Sequence, residues 1–263
     1  MSLVIRHDKG AVARLTLNAP EKLNALSLAM LGALRAELAA LANDPAIRVV
    51  ILAGAGKAFC AGHDLREMAA MRALPDRGAA ALSHLFDTCT GVMLAIRDMP
   101  QPVIAQVHGI ATAAGCQLVA ACDLALAAED ARFGVNGVNI GLFCSTPMVA
   151  LTRAIPRKAA FEMLSTGAFI PAARAADLGL INRAVPADQL EAETDTLATT
   201  IAAKLGAAVR IGKRAFYAQA ELGLDAAYDL TGQVMVANMA LDDTAEGIAA
   251  FIAKRAPAWD QTG

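Results

Sequence analysis

The chain has 263 residues, 56% of them hydrophobic, enough to bury a large core in one domain or one domain with an appended subdomain, so a disordered chain is excluded. Its net charge of −2 comes from 23 basic and 25 acidic residues that form no runs, which excludes a nucleic-acid footprint and points to a small-molecule or protein partner. Five cysteines without a CxxC pair, beside four histidines, suggest neither a disulfide framework nor a metal site and suit a reducing cytoplasm.

The opening MSLVIRHDKG lacks a basic region followed by an apolar run, so a cytoplasmic address is expected. Leu3 to His7 and Ala11 to Leu17 flank Lys9-Gly10 and predict a β-hairpin. Leu28, Leu31, Leu34, Leu38 and Leu41 recur at helical steps after Ser27, a good N-cap, and predict a helix over Ser27 to Asn43. A buried strand over Ile47 to Ala53 and a helix over Asp76 to Arg97 follow. Met99-Pro100-Gln101-Pro102 then stops the helix before a strand over Val103 to Val107. With a further strand over Asp123 to Ala128, the first half has the order that builds stacked βα units. Val103 to Cys122 is apolar over a membrane-span length, but Gln106, His108, Gln117 and several glycines make it the buried core of a soluble protein with no membrane partner.

After Pro147 the chain turns mainly helical. Arg157 to Thr166 ends at Gly167, and Pro171 to Leu178 ends at Gly179. A short strand spans Asn182 to Val185, and Asp188 with Glu191 forms a capping pair for a helix carrying Leu190, Leu197, Ile201 and Leu205. Everything beyond Gly206 is expected to be helical, which divides the chain into a core, 1–205, and a helical oligomerisation region, 206–263. There Leu222, Leu224, Met235, Met239, Ile248, Phe251 and Ile252 offer much apolar surface; packing on another subunit and docking on the chain's own core both fit.

Three stretches invite chemistry. Gly54-Ala-Gly-Lys57 lacks both the spacing and the hydroxyl residue of a phosphate loop, and GAGKAF lacks the third glycine of a dinucleotide fingerprint. Phe59-Cys-Ala-Gly-His-Asp-Leu65 is a small loop able to aim backbone N–H groups inward; a plain left-handed turn at Gly62 fits as well. In GIATAAGCQLVAACD, Gly109 to Asp123, Ala113-Ala-Gly115 leads into a short helix whose first amides lack acceptors and can hold a developing oxyanion. Close helix packing through small residues fits that stretch too.

Together these pieces resemble the enoyl-CoA hydratase/isomerase (crotonase) superfamily over nearly the whole chain. The matching segments include LNAPEKLNAL from Leu17, KAFCAGHDL from Lys57, PVIAQVHG from Pro102 and GIATAAGCQLVAACD. Ala131-Arg-Phe-Gly134, Leu164-Ser-Thr-Gly167 with Ala172 to Leu180, and Glu246 to Arg255 match further on. The resemblance implies an α/β fold, a ClpP-like spiral of stacked ββα units with a C-terminal helical trimerisation region. It also implies a homotrimer or dimer of trimers acting on coenzyme A thioesters, with no permanently bound cofactor and coenzyme A as part of the substrate. The family's oxyanion-hole amides fall on the backbone N–H groups of His63 and Ala114. Its substrate-binding positions fall on Lys22, Leu23 and Ala25 near the pantetheine and phosphates, Ala61, Asp64 and Leu65 around the adenine end, and Phe251 and Lys254 on a C-terminal helix. Ile110, Asn136 and Leu142 complete the candidate set.

The departures carry more. Hydratases of the family use two glutamates, and here the positions are Gln117 and Gly137, neither of which can transfer a proton. Ordinary hydration is therefore not expected, whereas stabilising an enolate needs only the oxyanion site. Three readings follow: a hydratase/isomerase-like lyase or isomerase working through an enolate, a decarboxylase of malonyl-type thioesters, or a non-catalytic acyl-CoA-binding scaffold. In the decarboxylase reading His63 adds an ionisable group, and Asn136, Asn139 and Gln117 supply hydrogen bonds. The run from Gly137 to Pro147 with Ile155-Pro-Arg-Lys158 most resembles the enoyl-CoA hydratase domain-containing protein 3 branch. Cys144 and Ser145 there are expected to cap or pack near the helix starting at Pro147.

Overall fold

The computed structural model describes residues 2–260. β1 (Val4–Lys9) and β2 (Val12–Leu17) form the expected hairpin, with Gly10 at φ +61° in its turn. α1 (Leu28–Ala42) starts where predicted: the Ser27 hydroxyl accepts the Met30 N–H at 3.2 Å, and Met30, Leu31, Leu34, Leu38 and Leu41 form its buried face. β3 (Val49–Gly54) is a continuous apolar run, as suits a parallel strand covered on both faces.

Next come α2 (Leu65–Arg72), α3 (Ala79–Asp98), β4 (Val103–Val107), β5 (Ile110–Thr112), α4 (Ala114–Ala121), β6 (Leu124–Ala128) and β7 (Arg132–Gly134). α5 (Pro147–Ala154), α6 (Arg157–Thr166), β8 (Ile170–Pro171), α7 (Ala172–Leu178), β9 (Arg183–Val185) and α8 (Leu190–Ala202) complete the core. α9 (Gly206–Gln219), α10 (Leu224–Met239) and α11 (Asp242–Ile252) end the chain.

A six-stranded sheet runs β1-β2-β3-β4-β6-β9, parallel except for the hairpin, and a smaller sheet runs β5-β7-β8. Each winding contributes a strand to the large sheet, one to the small sheet, then a helix: β4, β5, α4, followed by β6, β7, α5. After β3 the loop at Cys60 takes the second-strand role, bridging Ala111 of β5. This is the expected stack of ββα units. α8 lies against β3, β4 and β6 and closes one face of the large sheet.

Three details depart from expectation. α2 forms although none of its residues is buried, because Asp64 caps it by accepting the N–H groups of Arg66 and Glu67. Asp188 and Glu191 make no capping pair. α8 is entered through the 3-10 turn Ala187–Gln189, and Gln189 is already in a helical conformation, so no extended residue is left to bend a side chain back. Leu205 lies beyond α8, as the residue that opens α9.

α9 is fastened to the core. Lys213 is buried and donates to the carbonyls of Ile96 (2.7 Å) and Gln101 (2.9 Å) and to Asp123 Oδ2 (2.7 Å). Tyr217 donates to the other oxygen of Asp123 at 2.8 Å. The apolar side chains beyond α9, by contrast, do not dock on their own core: Leu224, Met235, Met239 and Ile252 are exposed, and Phe251 is 85% exposed.

Candidate active site

The loop after β3 runs strand-like beside β5: Cys60 N–H donates to the Ile110 carbonyl at 3.1 Å, and Thr112 N–H donates to the Cys60 carbonyl at 3.0 Å. Gly62 then turns the chain at φ +87°. A β-carbon there would stand 2.9 Å from Ala113 Cβ and 3.3 Å from Ala114 N, so both the conformation and the space call for glycine. Opposite, Ala113 adopts φ 49°, ψ −119°, held by its N–H on the Gly134 carbonyl at 2.9 Å, and α4 begins at Ala114. Gly115 is equally confined, since a side chain would run into the Cys60 carbonyl.

Two adjoining segments thus carry the N–H groups of His63 and Ala114, and no backbone carbonyl among the described residues takes up either one. Ala114 opens a helix, where unpaired donors and the helix dipole favour negative charge. Chemically, such a pair suits a carbonyl oxygen on which charge develops.

Gln117 follows one turn later, is 5% exposed, and has its Oε1 sealed in protein without a hydrogen-bond partner. It lines a cavity of about 1280 Å³ between α3, α4, α5 and α9. Gly137 sits in the 3-10 turn Asn136–Ile140, closed by Leu142 N–H on the Gly137 carbonyl at 2.9 Å. A β-carbon at 137 would collide with the Leu142 carbonyl and stand 2.9 Å from Cys144 Sγ. The space that a side chain at 137 would need is therefore filled by backbone and a thiol. Asn136 accepts the Thr112 hydroxyl at 2.6 Å, and the Asn139 amide reaches the Gly167 carbonyl at 3.4 Å.

The His63 ring turns inward, with Nδ1 3.2 Å from the Leu26 carbonyl and the ring edge-on to Phe86 at 5.5 Å. The carbonyl requires the proton on Nδ1, which leaves Nε2 as a buried acceptor without a partner. Burial pushes the imidazole pKa below 6.5, so the ring is neutral at pH 7. Cys144 is a buried thiol whose pKa burial raises, and Ser145 donates to the Phe143 carbonyl. Ser145 does not cap α5, whose N-cap position is Thr146 without a side-chain bond.

The candidate coenzyme A residues fall into two groups. Segment 22–26 runs along segment 61–64: Ala61 N–H donates to the Leu23 carbonyl (3.0 Å), Leu26 N–H to the Gly62 carbonyl (2.7 Å), and Lys22 Nζ lies 3.7 Å from Asp64. Lys22, Leu23, Ala25, Ala61 and Asp64 are thereby gathered beside His63. Leu65 is exposed next to Asp64, Ile110 is exposed on β5 where its carbonyl takes the Cys60 N–H, and exposed Leu142 neighbours Gly137. Phe251 and Lys254 are not brought to this group; they stand exposed on and just past α11. Sequence reasoning missed Asn24. It is fully buried at φ 54°, accepts Ala19 N–H (2.9 Å), and donates to the carbonyls of Ala55 and Ala58 (2.8 Å each). An asparagine in an apolar stretch, tolerant of the left-handed region, was its only signal.

Comparison with known proteins follows this geometry. A family model described as enoyl-CoA hydratase/isomerase matches residues 7–262. The mouse enoyl-CoA hydratase domain-containing protein 3, mitochondrial, is 46% identical over 257 residues, which span 98% of this chain and 84% of that protein. The crystal structure of an enoyl-CoA hydratase from Mycobacterium smegmatis matches with a TM-score of 0.94 at 53% identity, covering 98% of both chains. That of human enoyl-CoA hydratase domain-containing protein 3 matches at 0.93 and 44% identity, covering 98% of this chain and 100% of its own. The frog, mouse and human relatives are named as mitochondrial, which overturns the expected cytoplasmic address.

Proposed function

Because this chain belongs to the enoyl-CoA hydratase/isomerase family, we propose that it is an acyl-CoA thioester enzyme that stabilises an enolate on the backbone N–H groups of His63 and Ala114. Lys22, Leu23, Ala25, Ala61, Asp64 and Leu65 take the coenzyme A part, and Ile110, Asn136 and Leu142 border the acyl end. Phe251 and Lys254 come from a neighbouring copy in a homotrimer or dimer of trimers, since their own chain holds them away from this group. The observation that carries the reading is the pair of unclaimed amides on adjoining segments, beside Gln117 and a Gly137 with no room for a side chain.

Family hydration activates water with two carboxylates, and this site has neither. Gln117 orients water or substrate through its amide and transfers no proton. Chemistry that needs no base at these two positions remains open to the site. Loss of carbon dioxide from a malonyl-type thioester breaks a C–C bond and leaves its electron pair on the enolate, whose oxygen rests on the two amides. The absent acid/base pair favours this reaction as the second reading.

The test is turnover of crotonyl-CoA and malonyl-CoA by the wild type and Gln117→Glu. Hydration by the wild type is expected to be at least about 100-fold below that of a two-carboxylate hydratase, the range one positioned acid or base supplies. Robust wild-type hydration overturns the proposal, and binding of the whole panel with no turnover makes the chain a scaffold.

A further inference from the structure

The cavity reached by Gln117 has the makings of a selective subsite. It opens on α4 one turn past Ala114 and extends between the end of α3, α5 and α9. Beyond the Gln117 amide its wall is largely apolar, with Met93, Leu94, Ala121, Val149, Ala150 and Ile211 among the lining residues. Polar groups share that wall, Arg210 and Arg214 among them, and several are paired with one another. Arg97 pairs with Asp98 at 2.7 Å, Arg153 with Glu221 at 3.7 Å, and the Tyr217 hydroxyl is bound to Asp123.

Size separates the possible occupants. Pockets for small molecules usually span about 300–1,000 Å³, and this one, at about 1280 Å³, exceeds them. A four-carbon acyl group would leave most of that apolar wall against water. Gln117, one turn past Ala114, is the polar side chain at the α4 end of the cavity, and the apolar wall lies beyond it.

Resting on the thioester reading above, we propose that this cavity is the acyl subsite and selects long or ring-bearing apolar acyl groups of roughly ten carbons or more over four-carbon ones. Gln117 stands at its threshold, and the small side chains of Ala121 and Ala150 set its width.

Isothermal titration of the full chain with coenzyme A, butyryl-CoA, octanoyl-CoA and dodecanoyl-CoA tests this. Each methylene moved from water to an apolar wall raises affinity by up to about fourfold. Dodecanoyl-CoA is therefore expected to bind at least about 100-fold more tightly than butyryl-CoA. Ala150→Trp, filling the cavity from α5, is expected to reduce that ratio to below about tenfold. Ala121→Leu narrows it from α4 and serves should the tryptophan variant lose its circular dichroism signature. Equal affinity across chain lengths, with coenzyme A still bound, overturns the acyl subsite and leaves the thioester reading intact. A length dependence that folded Ala150→Trp and Ala121→Leu both preserve places the chain elsewhere and also overturns it. Failure of all four ligands to bind overturns both readings.

Discussion

His63 divides between backbone and ring. Its N–H is left unclaimed by any backbone carbonyl among the described residues, while its ring is spent inside the protein on Leu26 and Phe86. Burial lowers the ring's pKa below the ordinary 6.5, so between the folded value and 6.5 the folded chain binds fewer protons than the unfolded one. Stability from this group is fully present above pH 6.5 and is lost as pH falls through that window. The melting temperature of the wild type is expected to drop more steeply than that of His63→Gln between about pH 7.5 and 5. Equal slopes would remove the ring from the account. Asn24 shows the same economy, one buried amide tying the turn at Ala19 to the loop at Ala55–Phe59.

Among the elements, α9 is the joint between core and C-terminal helices, and its hold is the buried Lys213–Asp123 pair. Removing one partner of a buried pair typically costs about 3–5 kcal/mol, because the other is left charged and unpaired. Lys213→Met is expected to lose that much in urea denaturation. The division proposed at 205/206 meets its test here. A chain ending at 222 is expected to unfold cooperatively, and one ending at 205 to lose the transition, since Asp123 then has no cation.

Legibility in the sequence followed the same physics. α1, the opening hairpin and the helix ending at Gly167 were plain because apolar period, cap and turn residue agree there. α2 has no buried face, so periodicity had nothing to register. The segments around His63 and Ala114 were traceable through their glycines and small residues. The occupation of the space at Gly137 was not, because the occupant is the main chain of Leu142.

For the whole molecule, the exposed apolar side chains of α10 and α11 are the largest unmet demand. Leu224, Tyr228, Val236, Phe251 and Ile252 lie open to solvent in the single chain, and monomers rarely leave so much apolar surface uncovered. Sedimentation is expected to give three or six copies per particle, and Val236→Glu with Phe251→Ser to shift it toward the monomer. A wild-type monomer would defeat the proposed assembly.

The crowded turn at Gly137 also bears on what substitution can add to the chain. Gln117→Glu is one substitution with the cavity already beside it, whereas a glutamate at 137 has no place until the Leu142–Cys144 segment has moved. Carboxylates at both positions would therefore take a rebuilt turn as well as two substitutions, because the obstacle at 137 is main chain and not a side chain that a further substitution could remove.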